Sequence, residues 1–92
     1  MAFEVRASHI LVKTEDQIAT LVERLSKGEV FEELAEKCSL CPSRQNGGDL
    51  GYFERGEMVK EFEDACFDNE VGQIVTVETQ FGWHLIKVTA KR

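Results

Sequence analysis

From Ser39 to Phe67 the chain reads SLCPSRQNGGDLGYFERGEMVKEFEDACF, and no other stretch limits the fold as much. It holds the only proline, four of the seven glycines and two of the three cysteines. Pro42 and Asn46-Gly47-Gly48 are turn formers, the glycines where the backbone can take positive φ. Val59, Phe62, Ala65 and Cys66 then recur at helical spacing, and a strand-like piece, Leu50 to Glu54, lies between. A chain that turns, runs briefly extended and turns again into a short helix must build a small mixed domain. A loop cysteine, Cys41, a strand leucine, Leu50, and Met58 and Phe62 around a helix start can together wall one small apolar pocket.

The flanking segments fit that frame. Phe3 to Lys13 reads as a first strand, with Phe3, Val5, Ala7, His9 and Leu11 on one face and Ile10 and Val12 on the other. Both faces are apolar near its end, which predicts a central strand. His9 taken alone reads either as a hydrogen-bonded core histidine or as a functional one. Thr14-x-x-Gln17 is a capping box, followed by Ile18, Leu21, Val22 and Leu25 as a buried stripe up to Gly28. A second helix runs from about Val30, with Phe31, Leu34, Ala35 and Cys38 inward. Towards the C-terminus, Ile74 to Val77 reads as a strand, Thr79-Gln80 as a turn and Phe81 to Thr89 as the last strand. That strand puts His84, Ile86 and Val88 on one face and Trp83, Leu85 and Lys87 on the other. This order is an α+β pattern with a small, mainly antiparallel sheet.

Composition narrows the function classes. Ninety-two residues with 42% apolar content support one domain, residues 1–92, with one modest core. A net charge of −6 argues against nucleic acid as the main partner, because nothing neutralises a phosphate backbone. The apolar runs are too short for a membrane span, so no membrane partner is expected. The N-terminus, MAFEVRASHILV, has no basic start, apolar block and small-residue cleavage site. The expectation is the cytoplasm, although a domain excised from an exported protein would look the same. Cys38 and Cys41 form a C-x-x-C. Zinc would need a second tight ligand pair, and a redox motif would open a helix rather than close one. Two independent cysteines, no metal and no cofactor are expected. Asn46-Gly47-Gly48 could suggest a phosphate loop, but no helix opens there and no basic residue follows at the right spacing.

Five motifs in order identify a resemblance. They are A-S-H-I-L-V at 7–12, C-S-L-C-P-S at 38–43, G-G-D-L-G-Y-F at 47–53, G-E-M-V-K-E-F-E at 56–63 and T-Q-F-G-W-H-L-I at 79–86. The chain resembles the parvulin peptidyl-prolyl cis-trans isomerases over nearly its whole length, most of all the small single-domain prokaryotic type. The resemblance implies a parvulin-like (FKBP-like superfold) domain: a four-stranded sheet wrapped by about four helices, with the first and last strands adjacent in its middle. It implies that His9 and His84 pair in the sheet and that Cys41 takes the active-site cysteine position. Thr79 would join the histidine network. Leu50, Met58 and Phe62 would line a proline pocket, with Val59 and Phe81 on its rim. Two departures stand out. The link after the first strand, Lys13-Thr14-Glu15-Asp16, lacks the long basic loop that reads a phosphate in some members, so phospho-specificity is not expected. Lys60 also stands where a proline is common, which changes how the short helix starts.

The implied activity is rotation about X-Pro bonds in peptides and unfolded protein segments, by a monomer that clamps the ring in an apolar pocket. Cys41 admits two roles, a thiolate nucleophile or a weakly polar thiol that tunes the surroundings of the carbonyl. An ordinary thiol, of pKa about 8.5, is only a few per cent ionised at neutral pH, which favours the second role. Two other classes stand beside the isomerase: a groove that only binds extended apolar segments, as a chaperone does, and a thiol or zinc protein using Cys38 and Cys41.

Overall fold

A computed structural model describes residues 3–92. The elements follow in the order β1 (Val5–Val12), α1 (Glu15–Ser26), α2 (Phe31–Cys38), a 3-10 turn (Pro42–Asn46), β2 (Asp49–Phe53), α3 (Lys60–Asp68), β3 (Ile74–Thr79) and β4 (Gly82–Lys91). The strands form one sheet in the order β2-β1-β4-β3, with every neighbouring pair antiparallel. The expected α+β class holds, with β1 and β4 in the middle. The helical layer is three α-helices and the 3-10 turn.

Alternation along β1 and β4 splits the interior in two. Ile10, Val12 and Leu85 pack beneath α1 and α2 against Ile18, Leu21, Phe31 and Leu34. Val5, Ala7, Ile86 and Val88 face the other way, onto Phe53 and the Phe62 and Cys66 side of α3. The α1 N-terminus is closed by a full capping box, with Thr14 Oγ1 accepting from the Gln17 N–H and the Gln17 amide oxygen accepting from the Thr14 N–H. These bonds satisfy donors that the first helical turn leaves without intrahelical partners.

Several sequence expectations shift at the edges. Phe3 lies outside β1 and is 80% exposed, because the strand starts only at Val5. Val22 is 45% exposed rather than buried: α1 meets the sheet along a narrow line of Ile18, Leu21 and Leu25, and Val22 falls on its rim. The β3–β4 hairpin turns at Gln80-Phe81, since Thr79 is still paired, with Gly82. β4 therefore starts at Gly82 and runs on to Lys91. The Pro42–Asn46 segment is a 3-10 turn ended by Gly47 in the left-handed region, φ +67°.

One glycine matters to the site. Gly48, at φ +87°, passes so close to β1 that a Cβ would collide with the His9 carbonyl oxygen. In that position its own carbonyl accepts the His9 N–H at 2.9 Å. Only glycine combines this backbone angle with this approach.

Candidate active site

His9 and His84 sit diagonally across the β1–β4 ladder, where His9 is opposite Ile86 and Leu11 opposite His84. The rings stack with centroids 5.2 Å apart and planes 15° from parallel. Their Nδ1 atoms are 3.0 Å apart. On the far side of His84, Nε2 lies 2.7 Å from Thr79 Oγ1, which accepts the Phe81 N–H at 3.2 Å. The hairpin register, with Thr79 as the last paired residue of β3, is what brings that hydroxyl to the imidazole.

Burial keeps both imidazoles neutral. The pKa of His9 is pushed down to about 4, first by burial and then by the charge of His84. That of His84 is also lowered, by burial. Two neutral rings share one hydrogen between their Nδ1 atoms. If Thr79 donates to His84 Nε2, His84 donates to His9; if His84 Nε2 donates to Thr79, the direction reverses. In both arrangements His9 Nε2 has no partner among the described residues, although it is fully shielded from solvent. Such a group costs stability, and a fold retains it at a functional site more readily than elsewhere.

Phe62 packs its ring against both imidazoles, 5.4 Å from His9 and 5.2 Å from His84, each edge to face. It is 3% exposed and forms the floor of an open groove of about 460 Å³. The walls bring together Leu50 from β2, Met58 and Val59 at the entry to α3, Phe81 from the hairpin, Cys41 at the cap of the 3-10 turn and Pro42, the first residue of that turn. His9 and His84 lie behind the floor, and Leu11, Leu40 and Glu57 complete the wall. Phe81 and Leu40 are 61% and 55% exposed and stand on the rim. Of the sequence-derived candidates, only Thr79 is outside the groove lining; it reaches the site through His84.

The entry to α3 fixes Met58 and Val59. Glu63 accepts the Gly56 N–H and pairs with Arg55, which also meets Asp64 and lies 4.5 Å over the Phe67 ring. Val59 is the N-cap and Lys60 the first helical residue. That position tolerates proline because its N–H has no intrahelical acceptor.

Sequence reasoning missed Ser39. It is 1% exposed, and its Oγ accepts the N–H of Leu11 at 3.0 Å and of Cys41 at 3.2 Å, while the Leu40 N–H donates to the Leu11 carbonyl. Beyond the reach of β2, this serine completes the free edge of β1 and holds the Cys41 arm to it. A serine just past a helix end carries no local mark of that role. Leu11 was readable, since alternation puts it on the His9 face.

The two cysteines of the C-x-x-C part company. Cys38 packs with the α1–α2 core beside Arg24, whereas Cys41 lines the groove, and neither is in a disulfide. Among the described residues no cluster of three His, Cys, Asp or Glu side chains is disposed to hold a metal. Cys41 makes no hydrogen bond to either imidazole among the described residues. The cup is apolar, floored by the Phe62 ring and backed by two neutral imidazoles bonded to each other.

Comparison with known proteins places this architecture. The family model described as the PPIC-type PPIase domain matches residues 1–92. The foldase protein PrsA of Geobacillus sp. (strain WCH70) is 52% identical over 90 residues, which is 96% of this chain and 33% of that protein. The crystal structure of the peptidylprolyl isomerase PrsA from Bacillus anthracis superposes with a TM-score of 0.95 at 43% identity, covering 99% of this chain and 43% of that one. The solution structure of NmPin, the parvulin of Nitrosopumilus maritimus, gives a TM-score of 0.86 at 38% identity, with 98% and 99% covered. The chain belongs to the PPIC-type peptidyl-prolyl cis-trans isomerase domain family, the parvulins. It spans about a third of the length of the curated relatives it matches.

Proposed function

We propose that the groove binds the proline ring of X-Pro segments in peptides and unfolded chains and speeds rotation about the imide bond without covalent chemistry. The observation that carries this is the single cup in which Leu50, Met58 and Phe62 meet in front of the paired imidazoles. The uncatalysed barrier is about 18–20 kcal/mol, because rotation breaks amide resonance. A roughly thousandfold acceleration needs about 4 kcal/mol of stabilisation specific to the twisted state. In that state the carbonyl loses part of its negative charge and the nitrogen regains its lone pair. A dry apolar wall therefore favours the twisted imide over the planar, more polar ground state.

Cys41 acts as a weakly polar wall group. Nucleophilic attack calls for a base on the thiol or a nearby cation to ionise it, and both imidazoles are neutral and engaged with each other and Thr79. The histidines brace the floor under Phe62. The domain works as a monomer and needs no phosphate before proline, since the short link after β1 carries Glu15 and Asp16 into α1 rather than a basic loop.

The test is exchange NMR or a protease-coupled assay with Ala-Leu-Pro and Ala-Phe-Pro peptides. Faster cis-trans interconversion is expected, strongly reduced by Phe62→Ala and less by Cys41→Ser. No acceleration overturns the reading. Equal, complete loss in Cys41→Ser and Cys41→Ala would restore the nucleophile. Peptide-induced shifts at Phe62 and Trp83 without cis-trans exchange broadening would instead make the groove a binding module.

A further inference from the structure

The groove wall carries one side chain that neither the ring clamp nor the imidazole pair uses. Glu57 directly precedes Met58 and, among the described residues, is the only acidic or basic side chain apart from the two histidines that lines the groove. Its carboxylate is held in place: Oε2 accepts the N–H of Glu54, closing the loop that enters α3. Among the described residues it has no cationic partner. Arg55, the nearest base in the sequence, is taken up by Glu63, Asp64 and the Phe67 ring. A second cleft of about 530 Å³ shares Val59 with the groove, and Lys60, Glu61 and Glu78 are its charged lining residues. None of these three takes part in an ion pair among the described residues.

A carboxylate held by a backbone N–H keeps its charge in a fixed place, and beside an apolar wall its field is less screened than in open water. A ring seated against Met58 puts the side chains on either side of the proline near Glu57. We propose, resting on the isomerase reading above, that Glu57 sets substrate preference: the groove selects X-Pro segments with a lysine or arginine flanking the proline and disfavours acidic or phosphorylated ones. The overall charge of −6 works in the same direction for long unfolded clients.

The experiment measures kcat/KM for peptides with Lys, Leu or Glu immediately before the proline, and for a second set with the same residues immediately after it, on the 92-residue chain. At one of the two positions a Lys-to-Glu ratio of about fivefold is expected, the size of one attractive and one repulsive contact with a partly exposed charge. The ratio falls toward one in Glu57→Gln and inverts in Glu57→Lys. It shrinks between 0.05 and 1 M salt, about the range over which screening shortens from beyond 10 Å to roughly 3 Å. A ratio near one at both positions, or one unmoved by both substitutions, overturns the assignment while leaving the isomerase reading intact. Failure of the Leu peptides to turn over at all would overturn the isomerase reading instead.

Discussion

The two faces of the sheet come from the same two strands, yet they have become different materials. Under α1 and α2, Ile10, Val12 and Leu85 pack with Ile18, Leu21, Phe31 and Leu34 in an apolar cluster that holds no histidine. Under α3, Val5, Ala7, Ile86 and Val88 form an equally dry core at one end, but at the other His9 and His84 replace aliphatic side chains and Phe62 covers them. A buried pair of neutral rings and an orphaned Nε2 cost stability that the opposite face does not give up. One face holds the domain together, and the other gives up some of that stability to shape a groove.

Truncations offer the largest contrast. Leu34→Ala and Phe62→Ala should each cost about 3–4 kcal/mol in urea unfolding, the usual range for emptying a packed core site. The folded fraction of Leu34→Ala should keep its kcat/KM, whereas Phe62→Ala should lose at least about tenfold, with Phe62→Leu as the milder variant that keeps the fold. Equal activity losses on both faces would erase the distinction.

Acid should act most strongly on the histidine face. His9 has a folded pKa of about 4 against an ordinary value of 6.5, so between those limits the unfolded chain binds more protons and stability falls as pH falls. The contribution is fully present above pH 6.5 and about 3 kcal/mol is lost by pH 4. Urea titrations at several pH values should show this slope in the parent and in Leu34→Ala, and lose most of it in His9→Phe.

Smaller effects sharpen the boundary. Ser39→Ala leaves the Leu11 and Cys41 N–H groups without their acceptor and should cost about 2 kcal/mol, with faster amide exchange at both positions. Thr79→Val removes the hydroxyl from His84 Nε2 and should cost about 1 kcal/mol while shifting the imidazole nitrogen resonances of both histidines. The smallest change runs the other way. Lys60→Pro places proline at the first turn of α3, behind an extended Val59, and should raise the thermal midpoint by the equivalent of about 0.5 kcal/mol.

Much of this was legible along the chain. Alternation in 5–12 and 82–88 assigned each side chain its face, and the Thr14–Gln17 box marked the start of α1, because these signals depend on neighbours a few residues away. Cys41, Leu50, Met58 and Phe62 were legible as one apolar pocket, but the roles of His9, His84, Thr79, Val59 and Phe81 came only through five motifs whose order matches a family. Val22 and Phe3 misled because local periodicity gives a direction, not what lies there to cover it. Ser39 stayed silent because its partners, the N–H groups of Leu11 and Cys41, belong to a strand edge and an arm that meet only in the folded chain.

The sequence by itself determined the elements, their inward faces and the chemical character of the residues that would have to meet: two imidazoles, a thiol, and a few apolar side chains. Only the tertiary structure decided that His9 and His84, 75 positions apart, face each other through their Nδ1 atoms over a floor of Phe62. Local periods of 2 and 3.6 residues orient a side chain, but the register between distant strands is set by the packing of the whole sheet, and a one-residue slip would send both rings to opposite faces.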